Sequence, residues 1–136
     1  MDRTRVTVQL QPIAKSVGEA RRAVADHLKG CGLFEHAQDA VLLTSEVVTN
    51  AVVHAGPHAR GETLCLVIER TADAVRVEVS DGGPSLPTTQ GAAVDESTGR
   101  GLLLLDALAT RWGIVPRDAG KIVWFEVSCL DAREKP

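Results

Sequence analysis

Thr44-Ser45-Glu46-Val47-Val48-Thr49-Asn50-Ala51-Val52-Val53-His54-Ala55 is the stretch on which the fold reading turns. It forms the second half of a helical pattern from about Glu35 to Ala55, with apolar positions at Ala40, Leu43, Val47 and Ala51. Gly56-Pro57 ends the pattern. Glu46, Asn50 and His54 are spaced four apart and therefore share one helix stripe. Such a stripe is either a solvated face or the lining of a cavity. Val47, Val48, Ala51, Val52 and Val53 crowd the same segment, which predicts a largely buried helix whose polar residues line a cavity. His54 reads as a structural histidine favoured by the dipole at the helix end. The break at Gly56-Pro57 argues against a metal pair with His58.

Two further segments follow in order. Val75, Val77 and Val79 alternate with Arg76 and Glu78 and lead into Asp81-Gly82-Gly83-Pro84. Asp81 keeps the parity of the valines. It is either a turn aspartate or a carboxylate at a pocket floor, where it could accept a hydrogen bond from an exocyclic amine such as that of adenine. Gly83 would let a planar ring approach the backbone. Gly99-Arg100-Gly101-Leu102 then leads into an apolar helix. It is either an ordinary flexible turn or an anion site built from free N–H groups at a helix N-terminus. No Gly-Lys-Ser/Thr follows it and no strand precedes it, so it is neither a Walker A loop nor a dinucleotide fingerprint.

The remaining elements follow from local pattern. Val6, Val8 and Leu10 predict a strand, ended by Pro12. Ser16 with Glu19 predicts a capping box opening a helix that runs to about Lys29 and stops at Gly30-Cys31-Gly32. Leu64 to Ile68 is apolar on both faces, as a central strand would be, and forms an antiparallel meander with the Val75 strand. Residues 84–100 form a long connection with few apolar anchors, expected to be mobile without ligand. A helix from about Gly101 to Thr110, a strand at Trp112 to Val115, a hairpin turn at Arg117 to Gly120 and a strand from Ile122 to Val127 complete the chain. Asp131 to Pro136 reads as a frayed tail. The order β-α-α-β-β-loop-α-β-β predicts one α+β domain over 1–136, a two-layer α/β sandwich with a mainly antiparallel sheet.

Composition narrows the function classes. The chain has 136 residues, 44% apolar, a formal charge of −3 and only four aromatic side chains of the Phe and Trp type, with no Tyr. That charge leaves no electrostatic footprint for a nucleic acid, and the sparse aromatics make no base-stacking platform. The core must come from Val, Leu, Ala and Ile. Cys31, Cys65 and Cys129 form no C-x-x-C pair, so neither a disulfide framework nor a zinc site is indicated. No apolar run approaches the roughly 20 residues of a membrane span and no signal region opens the chain; the expected location is cytoplasmic.

Glu46-x-x-x-Asn50, Asp81-x-Gly83 and Gly99-x-Gly101 resemble the N, G1 and G2 boxes of the Bergerat-fold (GHKL) ATPases. The phrasing of residues 44–55, with Gly99-Arg100-Gly101-Leu102-Leu103 and Trp124-Phe125-Glu126-Val127, resembles the stand-alone anti-sigma-factor serine kinases within them. The resemblance covers about residues 6–128. It implies a cytoplasmic regulator that binds ATP with Mg²⁺, phosphorylates a serine on an anti-anti-sigma partner, can sequester a sigma factor and assembles as a homodimer. On that basis Asn50 ligates Mg²⁺, Asp81 reads the adenine amine, and Glu46 orients or deprotonates the attacking hydroxyl. Gly83 shapes the base pocket, residues 84–100 form the ATP lid, and the amides of Gly99, Arg100, Gly101 and Leu102 hold phosphates. Two departures stand out: Ser85 where the family's second G1 glycine is expected, and Ile122 where a last-strand threonine often supports adenine. They give weight to an alternative, a nucleotide-gated binding module or anti-sigma protein with negligible catalysis.

Overall fold

The structure is a computed structural model and describes residues 4–55, 63–81, 103–117 and 120–129. Strand β1 (Thr4–Leu10) is followed by helices α1 (Lys15–Gly30) and α2 (Phe34–Ala55), then strands β2 (Leu64–Arg70) and β3 (Ala74–Asp81). Residues 103–108 are helical (α3), and β4 (Arg111–Arg117) and β5 (Gly120–Ser128) follow. The strands form one sheet in the order β1-β2-β3-β5-β4, every pair antiparallel. Element order, the β2–β3 meander and the α+β class agree with the sequence reading.

One face of the sheet carries the core. Leu10, Leu64, Leu66, Ile68, Val75, Val77, Val79, Phe125 and Val127 are buried beneath the helices. The predicted apolar row of α2 (Ala40, Leu43, Val47, Ala51) is buried in full. Helix α2 packs on β3 and β5, and α1 on β1 and β2, with the two helices against each other. Apolar side chains removed from water on this one face supply the main drive for folding. The other face carries a charged rung: Arg76, Glu126 and Arg111 share one register row across β3, β5 and β4. Glu126 accepts from Arg111 at 2.7 Å and from Arg76 at 3.0 Å. Opposite charges directly across strands pin that register. Cys65 and Val67 of β2 lie half-buried on this second face, so its apolar two-sidedness does not correspond to helices on both sides among the described residues.

Helix α1 differs from expectation at its start. Its N-cap is Ala14, with no side-chain cap bond, so the Ser16–Glu19 capping box does not form. Backbone bonds from Ser16 N–H to Ile13 and from Val17 N–H to Ala14 begin the turn earlier. That places Ser16 inside the helix on the row Ser16, Ala20, Val24, Leu28, where it is 1% exposed. The predicted stop holds. Gly32 takes φ +77°, Leu33 N–H reaches back to the carbonyl of Leu28 and Gly32 N–H to that of Lys29. This is the Schellman arrangement, and glycine adopts the left-handed angle without a Cβ penalty.

Candidate functional site

Helix α2 holds Glu46 and Asn50 one turn apart, both half-buried, beside the buried residues Val47, Val48 and Ala51. The stripe is a boundary. On one side lie the side chains packed on the sheet; on the other, Thr49 and Val53 are exposed, Val53 by 58%. The helix expected to be largely buried therefore keeps an exposed stripe through Leu42, Thr49 and Val53. Polar ends can stay hydrated at such a boundary while their stems pack, which suits groups that must meet a charged ligand. Val41 and Ser45 line the seam with α1. Glu46 lies about 100° further round the helix than Ser45, on the flank turned from that seam.

Strand β3 supplies the second component. Val75, Val77 and Val79 are buried against the helices, and Asp81 continues their backbone row as the last residue of the strand. Asp81 pairs with Leu64 on one side and with Lys121 on the other. Lys121 was not singled out by sequence reasoning, because only the β3–β5 register reveals that it shares a rung with Asp81. That register also relocates Ile122. It pairs with Ser80, one residue out of phase with Asp81, and so belongs to the face opposite the helices. The expectation that Ile122 removes an adenine-supporting bond is not carried by this placement.

The segment after the predicted phosphate loop is helical at residues 103–108, as expected, but ends before Thr110. Leu105 is buried, and Ala109 N–H closes on the carbonyl of Leu105. Thr110 N–H then donates to the Glu126 carbonyl, so the chain has already joined the sheet. Trp112 Nε1 donates to the Asp106 carboxylate at 2.7 Å and ties α3 to β4. Gly83, Ser85, the predicted lid 84–100, and Gly99, Arg100, Gly101 and Leu102 lie outside the described residues, as do His58 and the side chains of His54 and Asp81.

A hard dication such as Mg²⁺ favours oxygen donors and is commonly held by one or two protein oxygens together with phosphates and water. The half-buried carboxamide of Asn50 fits that donor set. Among the described residues no group of three or more His, Cys, Asp or Glu could hold a metal. No described helix is long and apolar enough to cross a membrane.

The element order and the antiparallel sheet backed by helices agree with the histidine kinase-like ATPase fold. The chain belongs to the histidine kinase-like ATPase domain family, which matches residues 10–127. A comparison with curated proteins gives no match.

Proposed function

We propose that this chain is a serine-protein kinase that uses Mg-ATP and acts as a partner-switching regulator of the anti-sigma type. The observation that carries the reading is the placement of Glu46 and Asn50, one turn apart and half-buried, on the α2 flank beside the residues packed on the sheet. Asn50 would hold Mg²⁺ through its amide oxygen, and Asp81 would accept a hydrogen bond from the adenine amine. When bound, Mg-ATP supplies the phosphoryl group and a cation that offsets charge during transfer.

Glu46 takes the proton of the partner's serine hydroxyl as the serine oxygen bonds to the γ-phosphorus. The bond from that phosphorus to the β–γ bridging oxygen breaks, and ADP leaves. Gly83 would shape the base pocket, and the amides of Gly99, Arg100, Gly101 and Leu102 would hold the phosphates. The partner is a serine-bearing anti-anti-sigma protein, with a sigma factor as a second ligand and a homodimer as the working form. The alternative, a nucleotide-gated binding module with negligible catalysis, now leans on Ser85, since Ile122 sits on the opposite face from the α2 stripe.

Incubating the chain with radiolabelled ATP, Mg²⁺ and serine-bearing proteins co-purified from the native cell tests the reading. Label on a partner serine is expected. Nucleotide binding without any transfer would favour the binding module.

A further inference from the structure

Two of the three cysteines meet at the end of the sheet where α1 stops. Residues 11–14 turn β1 back into α1, which packs on β1 and β2. The 16 residues of α1 rise about 24 Å, which matches the roughly 23 Å of the seven-residue β1. The helix therefore ends over the Thr4–Arg70 end of the sheet, with Cys31 as its C-cap. Cys129 reaches the same end from β5. Its N–H donates to the Asp73 carbonyl at 2.8 Å, in the turn that joins β2 to β3. Phe125 and Val127 are buried against the helices, and Cys129 continues their alternation and packs on the core. Both thiols are reduced and half-buried, as is Cys65, which lies on the open face of the sheet.

Cys31 has a base beside it. His27 Nε2 lies 4.0 Å from Cys31 Sγ, one helical turn back. Burial lowers the His27 pKa from its ordinary 6.5, so the imidazole is neutral at neutral pH and can take a proton. The C-terminal dipole of α1 disfavours a thiolate at Cys31, so a nearby proton acceptor is what would let this thiol attack. Cys129 is the opposite case. Burial pushes its thiol above the ordinary value of 9.0; Arg70 opposes the shift, while Asp73 and Cys31 lie close enough to add to it. The buried Nε of Arg70 has no hydrogen-bond partner among the described residues.

We propose that Cys31 and Cys129 form a peroxide-responsive thiol pair, in which Cys31 attacks, His27 is its base and Cys129 resolves. His27 takes the Cys31 proton as the sulfur bonds to one oxygen of hydrogen peroxide. The O–O bond breaks, and the departing hydroxide collects the proton from His27 and leaves as water. Cys31 is then a sulfenic acid. Cys129 attacks that sulfur, the S–O bond breaks, and a second water leaves. The two thiols lose two electrons, and one peroxide becomes two waters. Arg70 stabilises the Cys129 thiolate as it attacks. The bridge ties the end of α1 to the end of β5. Asp81 closes β3 at the end opposite the Asp73 turn, so the inference does not rest on the nucleotide reading.

The test treats the full chain with hydrogen peroxide, alkylates the remaining thiols and maps the peptides without reductant by mass spectrometry. A Cys31–Cys129 peptide is expected, with Cys65 still alkylated, and dithiothreitol should reverse the bridge. In Cys129→Ser, dimedone should trap a sulfenic acid at Cys31. His27→Gln should slow loss of the Cys31 thiol about tenfold or more, the scale of an acting base, with circular dichroism checking that each variant is folded. In urea the preference for Cys31 over Cys65 should vanish. Oxidation of all three cysteines at one rate, bridges formed mainly between chains, a preference that survives urea, or an unchanged rate in His27→Gln would overturn the proposal. So would Cys31 and Cys129 both staying reduced while Cys65 is oxidised.

Discussion

Replacing Gly113 by alanine tests the packing of the open face of the sheet. A Cβ at this position would meet Trp124 Nε1 at 2.8 Å and two further ring carbons at 3.0 Å. The indole has little freedom to yield, because the Arg76 guanidinium lies 4.3 Å from its ring centroid. Arg76 is itself held by Glu78 at 2.9 Å and Glu126 at 3.0 Å. Alanine in a strand is ordinarily better than glycine by about 0.5–1 kcal/mol. Against that gain stand about 1–3 kcal/mol of overpacking and about 0.5–1 kcal/mol of cation–π attraction if the ring swings away. The steric cost wins, leaving a net loss of about 1–2 kcal/mol. For a chain of this size that lowers Tm by roughly 3–8 °C. Thermal unfolding followed by circular dichroism reads the loss, and tryptophan emission reports the displaced ring. In a Trp124→Val background the same glycine change should become neutral or favourable, because the clash is gone. An unchanged Tm with unchanged emission, or the same loss in the Trp124→Val background, would refute the steric reasoning.

Further consequences are equally open to measurement. Thr44 is fully buried, and its hydroxyl has no hydrogen-bond partner among the described residues, so Thr44→Val should raise stability by about 1 kcal/mol in denaturant unfolding; a loss would show that the hydroxyl is satisfied. Burial pushes the Glu126 carboxyl up, but the hydrogen bonds from Arg111 and Arg76 outweigh it and hold the group below the ordinary value of 4.5. The folded state then binds that proton less readily than the unfolded chain. The contribution is present above the unfolded value and is lost as pH falls through the folded one. Glu126→Gln should accordingly flatten the acid limb of stability against pH, and an acid limb as steep as the parent's would contradict the assignment. Asp81→Asn should weaken ATP binding, and the parent chain should bind ATP more tightly than GTP by calorimetry, since GTP lacks the amine for Asp81 to accept from; equal affinity for the two nucleotides would sink the base-reading role.

Much of the architecture was legible because periodicity and burial agree here. The valines of β3 alternate and are all buried, and the apolar row of α2 is the row that packs on the sheet. Gly32 marked the end of α1 because that turn requires a left-handed angle. What local pattern missed depends on partners far away in sequence. Ser16 has the chemistry of a cap, yet the preceding turn starts α1 early and turns it into the core. Thr44 was hidden inside an apolar-looking run. The phase of β5 against β3 cannot be deduced from either strand alone, so neither the Asp81–Lys121 rung nor the face on which Ile122 lies is legible in local pattern. Of the candidate site, the α2 stripe and the end of β3 are placed by the fold, and these are the parts borne by regular elements.

The measurement that bears most directly on the kinase reading compares nucleotide binding with phosphoryl transfer in Glu46→Ala. Titration calorimetry should find Mg-ATP affinity close to the parent's, because Asn50 and Asp81 are untouched. Single-turnover transfer to the serine-bearing partner should fall by a factor of about 10²–10⁴, the usual contribution of a general base. Asn50→Ala, measured alongside, should lose both, since the metal and the phosphates are held together. Transfer at the parent rate in Glu46→Ala, with ATP binding intact, would contradict the role given to the α2 carboxylate.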